Sequence, residues 1–149
     1  MLNRRSFITS GLMLPSLAGV TLASVTKGST LQVQVTYSGA GVVDDKHKLY
    51  VSLWDTPDFA KAGNETAPFA LKFVTSKSAV AEFTDLDKSP VYVGTIYDPT
   101  GKWDAQSAPP SGTSVGLYST EPGVPAPVTL EDGKTTKIST TLDDSIKLP

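Results

Sequence analysis

Leu31-Gln32-Val33-Gln34-Val35-Thr36-Tyr37 is the stretch from which the fold is read. Apolar side chains occupy every second position. A period of two places Leu31, Val33, Val35 and Tyr37 on one face of a strand, with Gln32, Gln34 and Thr36 on the other. One face is therefore made for a core and the other for water.

Working outward, similar stretches recur. Ser38-Gly39-Ala40-Gly41 is a turn. Leu49 to Trp54 reads as a second strand, stopped by Asp55-Thr56-Pro57-Asp58. Phe69–Val74, Ala79–Phe83, Val91–Tyr97 and the short Val115–Tyr118 follow. Val128-Thr129-Leu130 and Ile138–Leu142 flank Glu131-Asp132-Gly133-Lys134, and the Asp-Gly pair predicts a closing hairpin between them. Seven to eight strands at about ten-residue spacing imply an all-β, antiparallel sandwich. No window carries a helical period, and Phe59-Ala60-Lys61-Ala62 allows one turn at most. In the second strand both parities hold apolar residues, Tyr50 and Trp54 against Val51 and Leu53. The sequence does not choose between them.

The N-terminus is of a different kind. Arg4-Arg5 precedes Ser6-Phe7-Ile8, and a mild apolar run from Gly11 to Val25 is broken by Pro15 and Gly19. Charge, a short apolar region and small residues are the marks of an export signal, too short to span a membrane. Paired arginines, a free position, Phe and an apolar residue resemble the twin-arginine signal, with Arg4, Arg5 and Phe7 as its reading frame. Thr21-Leu22-Ala23 is the best cleavage site. The expected division is a signal over 1–23 and one domain over 24–149. The twin-arginine translocon is then the partner during export, and the destination is the periplasm or the medium. No cysteine follows the apolar run, so no lipid anchor is expected after cleavage.

Composition narrows the chemistry. The 149 residues predict one domain. Cysteine is absent and His47 is the only histidine, which removes disulfides, thiolate metal sites and any site needing two histidines. Beyond the signal, eleven lysines face fifteen acids, a formal charge of −4, and there is no arginine. That balance argues against nucleic acid and against anionic membranes.

The order of features carries a resemblance. Leu53-Trp54-Asp55-Thr56-Pro57-Asp58-Phe59 is followed by Val80–Phe83, then Pro90-Val91-Tyr92-Val93-Gly94, Ile96-Tyr97-Asp98 and Gly101-Lys102-Trp103-Asp104. A Pro-rich loop, Gly116-Leu117-Tyr118 and Val128-Thr129-Leu130 complete it. From Leu31 to Leu142 this resembles the prealbumin-like (transthyretin-like, carboxypeptidase regulatory-like) sandwich, an Ig-like architecture. The resemblance implies a fold far more than an activity. The hydroxyisourate hydrolase among such folds relies on histidines, an arginine and a Tyr-Arg-Gly-Ser tail. This chain has one histidine and ends Ile146-Lys147-Leu148-Pro149, so that activity is not carried over.

Three sets of side chains invite a function. In Asp98-Pro99-Thr100-Gly101-Lys102-Trp103-Asp104, the resemblance implies a calcium loop with Asp98, Thr100, Asp104 and the Lys102 carbonyl as donors. A plain turn with Pro second and Gly fourth explains the same residues, and Lys102 opposes a cation, so no metal or other cofactor is expected. Asp44-Asp45-Lys46-His47-Lys48 offers one imidazole beside acids and reads as a solvated loop. Trp54, Tyr92, Tyr97, Trp103 and Tyr118 would make a sugar-stacking platform if they faced outward, and core or rim positions otherwise. Trp103 stands apart because its neighbours are polar. No Gly-x-Ser-x-Gly elbow or nucleophile-base pair is present. The sequence therefore predicts a non-catalytic exported module that binds a protein or a glycan. Trp103, Asp98 and Asp104 are its candidate contacts. A carbohydrate-binding protein and a calcium-stabilised domain are the alternatives.

Replacing Arg4 and Arg5 by lysines tests the address. The Lys-Lys precursor is expected to stay in the cytoplasm, measured by fractionation. Its normal export, or normal export from cells lacking the twin-arginine translocon, would show the signal to be of the general secretory type.

Overall fold

A computed structural model describes residues 28–64 and 66–149, so Arg4, Arg5, Phe7 and the rest of the export segment lie outside the described residues. Seven strands make up the fold: β1 (Ser29–Tyr37), β2 (Leu49–Trp54), β3 (Ala70–Val74), β4 (Ser78–Leu86), β5 (Tyr92–Tyr97), β6 (Ser114–Leu117) and β7 (Thr135–Leu142). There is no α-helix among the described residues. Pro57–Ala60 forms a single 3-10 turn, begun by Pro57 and capped by Thr56 Oγ1, which accepts from the Asp58 N–H at 3.2 Å.

The strands form two sheets, ordered β4-β1-β7 and β3-β2-β5-β6. Their inner faces share one core. Leu31, Val33 and Val35 of β1 meet Leu49, Val51 and Leu53 of β2 and Val93 of β5, all fully buried. The ambiguity in β2 is thereby settled: Val51 and Leu53 point inward, and Tyr50, Ser52 and Trp54 lie on the outer face.

Two expectations need correction. The sandwich is not wholly antiparallel, because β1 pairs with β7 in parallel from Thr30↔Thr135 to Tyr37↔Leu142. The closing hairpin is also absent. Val128 pairs instead with Val91, exchanging hydrogen bonds of 2.8 and 3.0 Å, and so resumes the row that β6 makes along β5. The Asp132-Gly133 turn is real, with Gly133 at φ 71° and Lys134 N–H donating to Glu131 C=O. It joins strands of different sheets. Ser29 Oγ donates to Glu131 C=O at 2.8 Å and Thr30 N–H to Lys134 C=O at 2.9 Å. These bonds start β7 beside the start of β1, so the two run the same way. A local turn signal fixes the reversal but not the partner.

The outer faces of the two sheets differ in chemistry. On the three-stranded sheet, Gln32 Nε2 donates to Glu82 Oε2 (2.7 Å) and Gln34 Nε2 to Ser78 Oγ (3.0 Å), with Lys137, Ser139 and Thr141 alongside in register. The four-stranded sheet instead carries Leu71, Phe73, Tyr50, Trp54, Tyr92, Ile96, Val115 and Leu117 on its outer side.

Asp144 ties the sheets together at one corner. Its Oδ1 accepts from Tyr37 Oη (2.7 Å, end of β1) and from Ser114 Oγ (2.8 Å, start of β6); its Oδ2 accepts from the Ala40 N–H at 3.3 Å. The hydroxyls of Tyr37 and Ser114 hold its carboxyl below the usual range. Burial, with the same hydrogen bond, pushes Tyr37 up to about 12. Tyr97 stacks on Tyr37 at 4.3 Å and donates to Val42 C=O, holding the β1–β2 loop against the corner.

Asp144→Ala is expected to cost about 2 kcal/mol in denaturant unfolding, since it leaves the buried Tyr37 hydroxyl without an acceptor. The native carboxyl has a lowered pKa. Its contribution is therefore full above the ordinary carboxylate value of about 4 and is lost as pH falls through the native value. The gap between wild type and Asp144→Ala should narrow on acidification. A constant gap from neutral to acid pH would contradict the network.

Candidate functional site

The outer side of the four-stranded sheet is built up at one end by three rings. Tyr50 on β2 stands opposite Phe73 on β3 in register, and their centroids are 6.1 Å apart at 63°. Trp103, from the β5–β6 loop, packs edge-on to Tyr50 at 4.8 Å and 73°. Tyr50 is thereby buried, while Phe73 at the sheet edge remains 52% exposed. Lys48 Nζ lies 4.3 Å from the centroid of Phe73, a cation–π contact.

At the other end, Trp54 stacks on Phe59 of the 3-10 turn, 4.8 Å apart and 10° from parallel, and Trp54 Nε1 donates to Ser52 Oγ at 2.9 Å. Gly94 of β5 makes this possible. A Cβ there would sit 2.8 Å from Ser52 Oγ and 3.2 Å from Phe59. The 3-10 turn so covers the middle of the sheet, and the Trp103 loop covers Tyr50.

Asp98 organises the Trp103 loop. It is 2% exposed, and its Oδ1 accepts from Thr100 N–H (2.9 Å) and Thr100 Oγ1 (2.7 Å). Its Oδ2 accepts from Trp103 N–H at 2.8 Å. Burial alone would raise its pKa. The hydrogen bonds from the Thr100 side chain and from the Trp103, Thr100 and Lys102 amides outweigh burial and hold the carboxyl below its usual range. Gly101, at φ 70°, lets the turn close against the β1–β2 loop, where a Cβ would lie 2.8 Å from Lys46 C=O. Further on, Asp104 Oδ1 accepts from Gln106 N–H (2.9 Å), and Trp103 Nε1 donates to Ser107 C=O (2.9 Å).

The loop encloses an open cleft of about 450 Å³, lined by Thr100, Lys102, Trp103, Asp104, Ser107, Ala108 and Pro110. Of the three candidate contacts, Trp103 and Asp104 share this cleft. Asp98 is buried outside the lining and holds the Trp103 backbone through its Oδ2. Asp44 Oδ1 accepts from Lys46 and His47 amides at 2.9 and 2.7 Å and lies 2.9 Å from His47 Nδ1, closing the β1–β2 loop. Among the described residues no three His, Asp or Glu side chains gather in a way that would hold a metal ion.

Sequence reading singled out Trp103 but missed Tyr50, Phe73 and Lys48 as its companions. The parity of Phe73 with Leu71 was visible. Its alignment with Tyr50 depends on the β2–β3 register, which is a tertiary fact.

Asp98→Ala is expected to leave the β-sheet circular dichroism unchanged, to cost about 2 kcal/mol, and to release Trp103. Trp103 emission should shift to the red, read in a Trp54→Phe background. An unshifted spectrum would show that Asp98 does not position the ring.

No family model, curated protein or solved structure matches the chain, so its function is read from its own geometry.

Proposed function

We propose that the mature chain is an exported, non-catalytic binding module of the prealbumin-like sandwich type, acting in the periplasm or the medium. Its ligand is taken on the outer face of the four-stranded sheet, at the end formed by Tyr50, Phe73 and Trp103. The contrast between the two outer faces carries this reading. A two-sheet sandwich needs only its inner faces apolar. The three-stranded sheet keeps that rule with its Gln32–Glu82 and Gln34–Ser78 pairs, except at Val80, which lies opposite Gln34 and is half in solvent. The four-stranded sheet departs from it, with Phe73 half in solvent. Rigid rings at the centre of a patch with a polar rim are the anchors of binding surfaces.

A glycan is favoured over a protein by the cleft beside the rings. Trp103 lines it together with Thr100, Lys102, Asp104 and Ser107, the Thr100 hydroxyl donating to Asp98 and the Ser107 hydroxyl to Asp104. That mixture suits a pyranose ring, with C–H faces for the indole and hydroxyls for the polar side chains. A calcium-stabilised role has less support, since both Asp98 oxygens already accept hydrogen bonds from their own loop.

The test is capture of exported proteins and soluble polysaccharides on the immobilised full chain. Wild type and a Gln34→Ala control on the polar sheet should retain the same ligand. Trp103→Ala with Phe73→Ser should weaken retention by about tenfold or more, the loss expected for central aromatic anchors. Loss in Gln34→Ala and retention in the aromatic double variant would move the binding face to the other sheet.

A further inference from the structure

We propose that β7 pairs with β7 of a second copy of this chain, antiparallel about a two-fold axis at Ile138, so that the two three-stranded sheets join into one six-stranded sheet. The inference does not depend on the ligand face, which lies on the other sheet.

The sheet edges are not equally protected. An unpaired edge invites another strand, and proteins blunt it with short strands, lysines, bulges or a covering segment. β6 is covered by the tail through Ile146 and Leu148. β3 has only five residues, with exposed Lys72 at its middle. β4 slips register against β1 between Ser29 and Leu31, and Asp85 in the slip has φ 56°. β7 runs for eight residues in unbroken register with β1, without Pro or Gly, and Lys137 is its one charge.

The backbone of β7 sets the register. Thr30 N–H donates to Lys134 C=O and Ser38 N–H to Leu142 C=O. Alternate residues of a strand turn their N–H and C=O to opposite sides, so the even-numbered residues of β7 face β1. Thr135, Lys137, Ser139 and Thr141 face outward, and β7 has no second neighbour in its sheet. These four residues are placed evenly about Ile138. An antiparallel copy centred there pairs Thr135 with Thr141 and Lys137 with Ser139, each twice, and every outward N–H and C=O of both chains gains a partner.

The side chains agree. Thr135-Thr136-Lys137-Ile138-Ser139-Thr140-Thr141 reads nearly the same from either end. Thr136 meets Thr140 of the other copy, and Ile138 meets its own counterpart in a non-hydrogen-bonded pair, where side chains stand closest. Thr–Thr pairs across strands are favourable. Thr136, Ile138 and Thr140 are half-buried at the rim of the core, and the second copy covers them. Lys137 opposes Ser139, so the two ammonium groups stay apart. A register centred on Lys137 would set them opposite, and one centred on Ser139 would leave Thr135 unpaired. At about 3.3 Å per residue the paired segment is about 26 Å long. One strand pair of that length is smaller than a standard interface of about 800 Å² per partner, so the dimer is expected to dissociate at micromolar concentration.

Sedimentation of the purified full chain is expected to show a monomer–dimer equilibrium. Ser139→Glu sets a carboxylate opposite Lys137 twice in the dimer, and Ser139→Lys sets an ammonium there. The first should tighten the dimer severalfold and the second weaken it severalfold, with circular dichroism unchanged in both. The chain lacks cysteine, so single-cysteine variants report the register. Ile138→Cys should give a disulfide-linked dimer under mild oxidation, because Cα atoms in such a pair stand about 4.5 Å apart. Thr136→Cys, which faces Thr140 of the other copy, should not.

A monomer persisting to millimolar concentration would overturn the inference. Dimerisation indifferent to the charge at position 139, or equal cross-linking of Ile138→Cys and Thr136→Cys, would overturn it as well and assign the contact to another surface.

Discussion

The corner at Asp144 is the constraint on which the described fold turns. A two-sheet sandwich must bind its layers where the chain passes between them, because hydrophobic contact alone does not fix which edge meets which. Here one carboxylate accepts from the last residue of β1 and the first of β6, with a backbone amide of the β1–β2 loop as a third donor. Tyr37 is buried under Tyr97, so its hydroxyl needs that acceptor. Leu142 closes the apolar side of the same corner, at 1% exposure and within 3.0 Å of where a Gly116 Cβ would stand. The tail beyond it then lies along β6, with Val115 N–H donating to Ile146 C=O and Leu148 N–H to Thr113 C=O.

That arrangement has a consequence at the far side of the four-stranded sheet. The tail occupies the β6 edge, and β3 is left as the other edge with Phe73 on it. The outer face is not left bare. The 3-10 turn brings Phe59 over Gly94, and the Asp98 turn brings Trp103 over Tyr50. Both loops depend on local chemistry that would work in isolation: a Thr-Pro start in one, and an Asp carboxylate capping its own amides in the other. Each uses that chemistry to deliver an aromatic ring to a strand distant in sequence.

Much of the strand pattern was legible. Leu49–Trp54 was read with the bounds it has, and Leu31–Tyr37 lies within β1. Alternation is a local property of a strand with one face in water, and this chain alternates clearly in β1. Where both faces are covered the signal fades. In β2 only Trp54 escapes burial, so Tyr50 and Val51 looked equally fit for the core. The site was legible in part. Trp103 stood out because a large ring in a polar loop is unusual. Asp98 stood out too, but its role differs: burial at 2% turns it from a surface contact into the support of Trp103.

By itself the sequence determined the class of the fold, the positions of nearly all strands, and the exclusions that follow from no cysteine and one histidine. These rest on periodicity and composition, which need no knowledge of partners. Tertiary structure decided the rest. It paired β1 with β7 in parallel and sent Val128 to Val91 in place of a hairpin, because a turn sets the direction of a chain and not its neighbour. It also chose which face of β2 is inside. Tyr50, Phe73 and Trp103 come from positions far apart in the chain. Only the β2–β3 register and the hydrogen bond from Trp103 N–H to Asp98 bring them within ring contact, and no local pattern encodes a meeting of that kind.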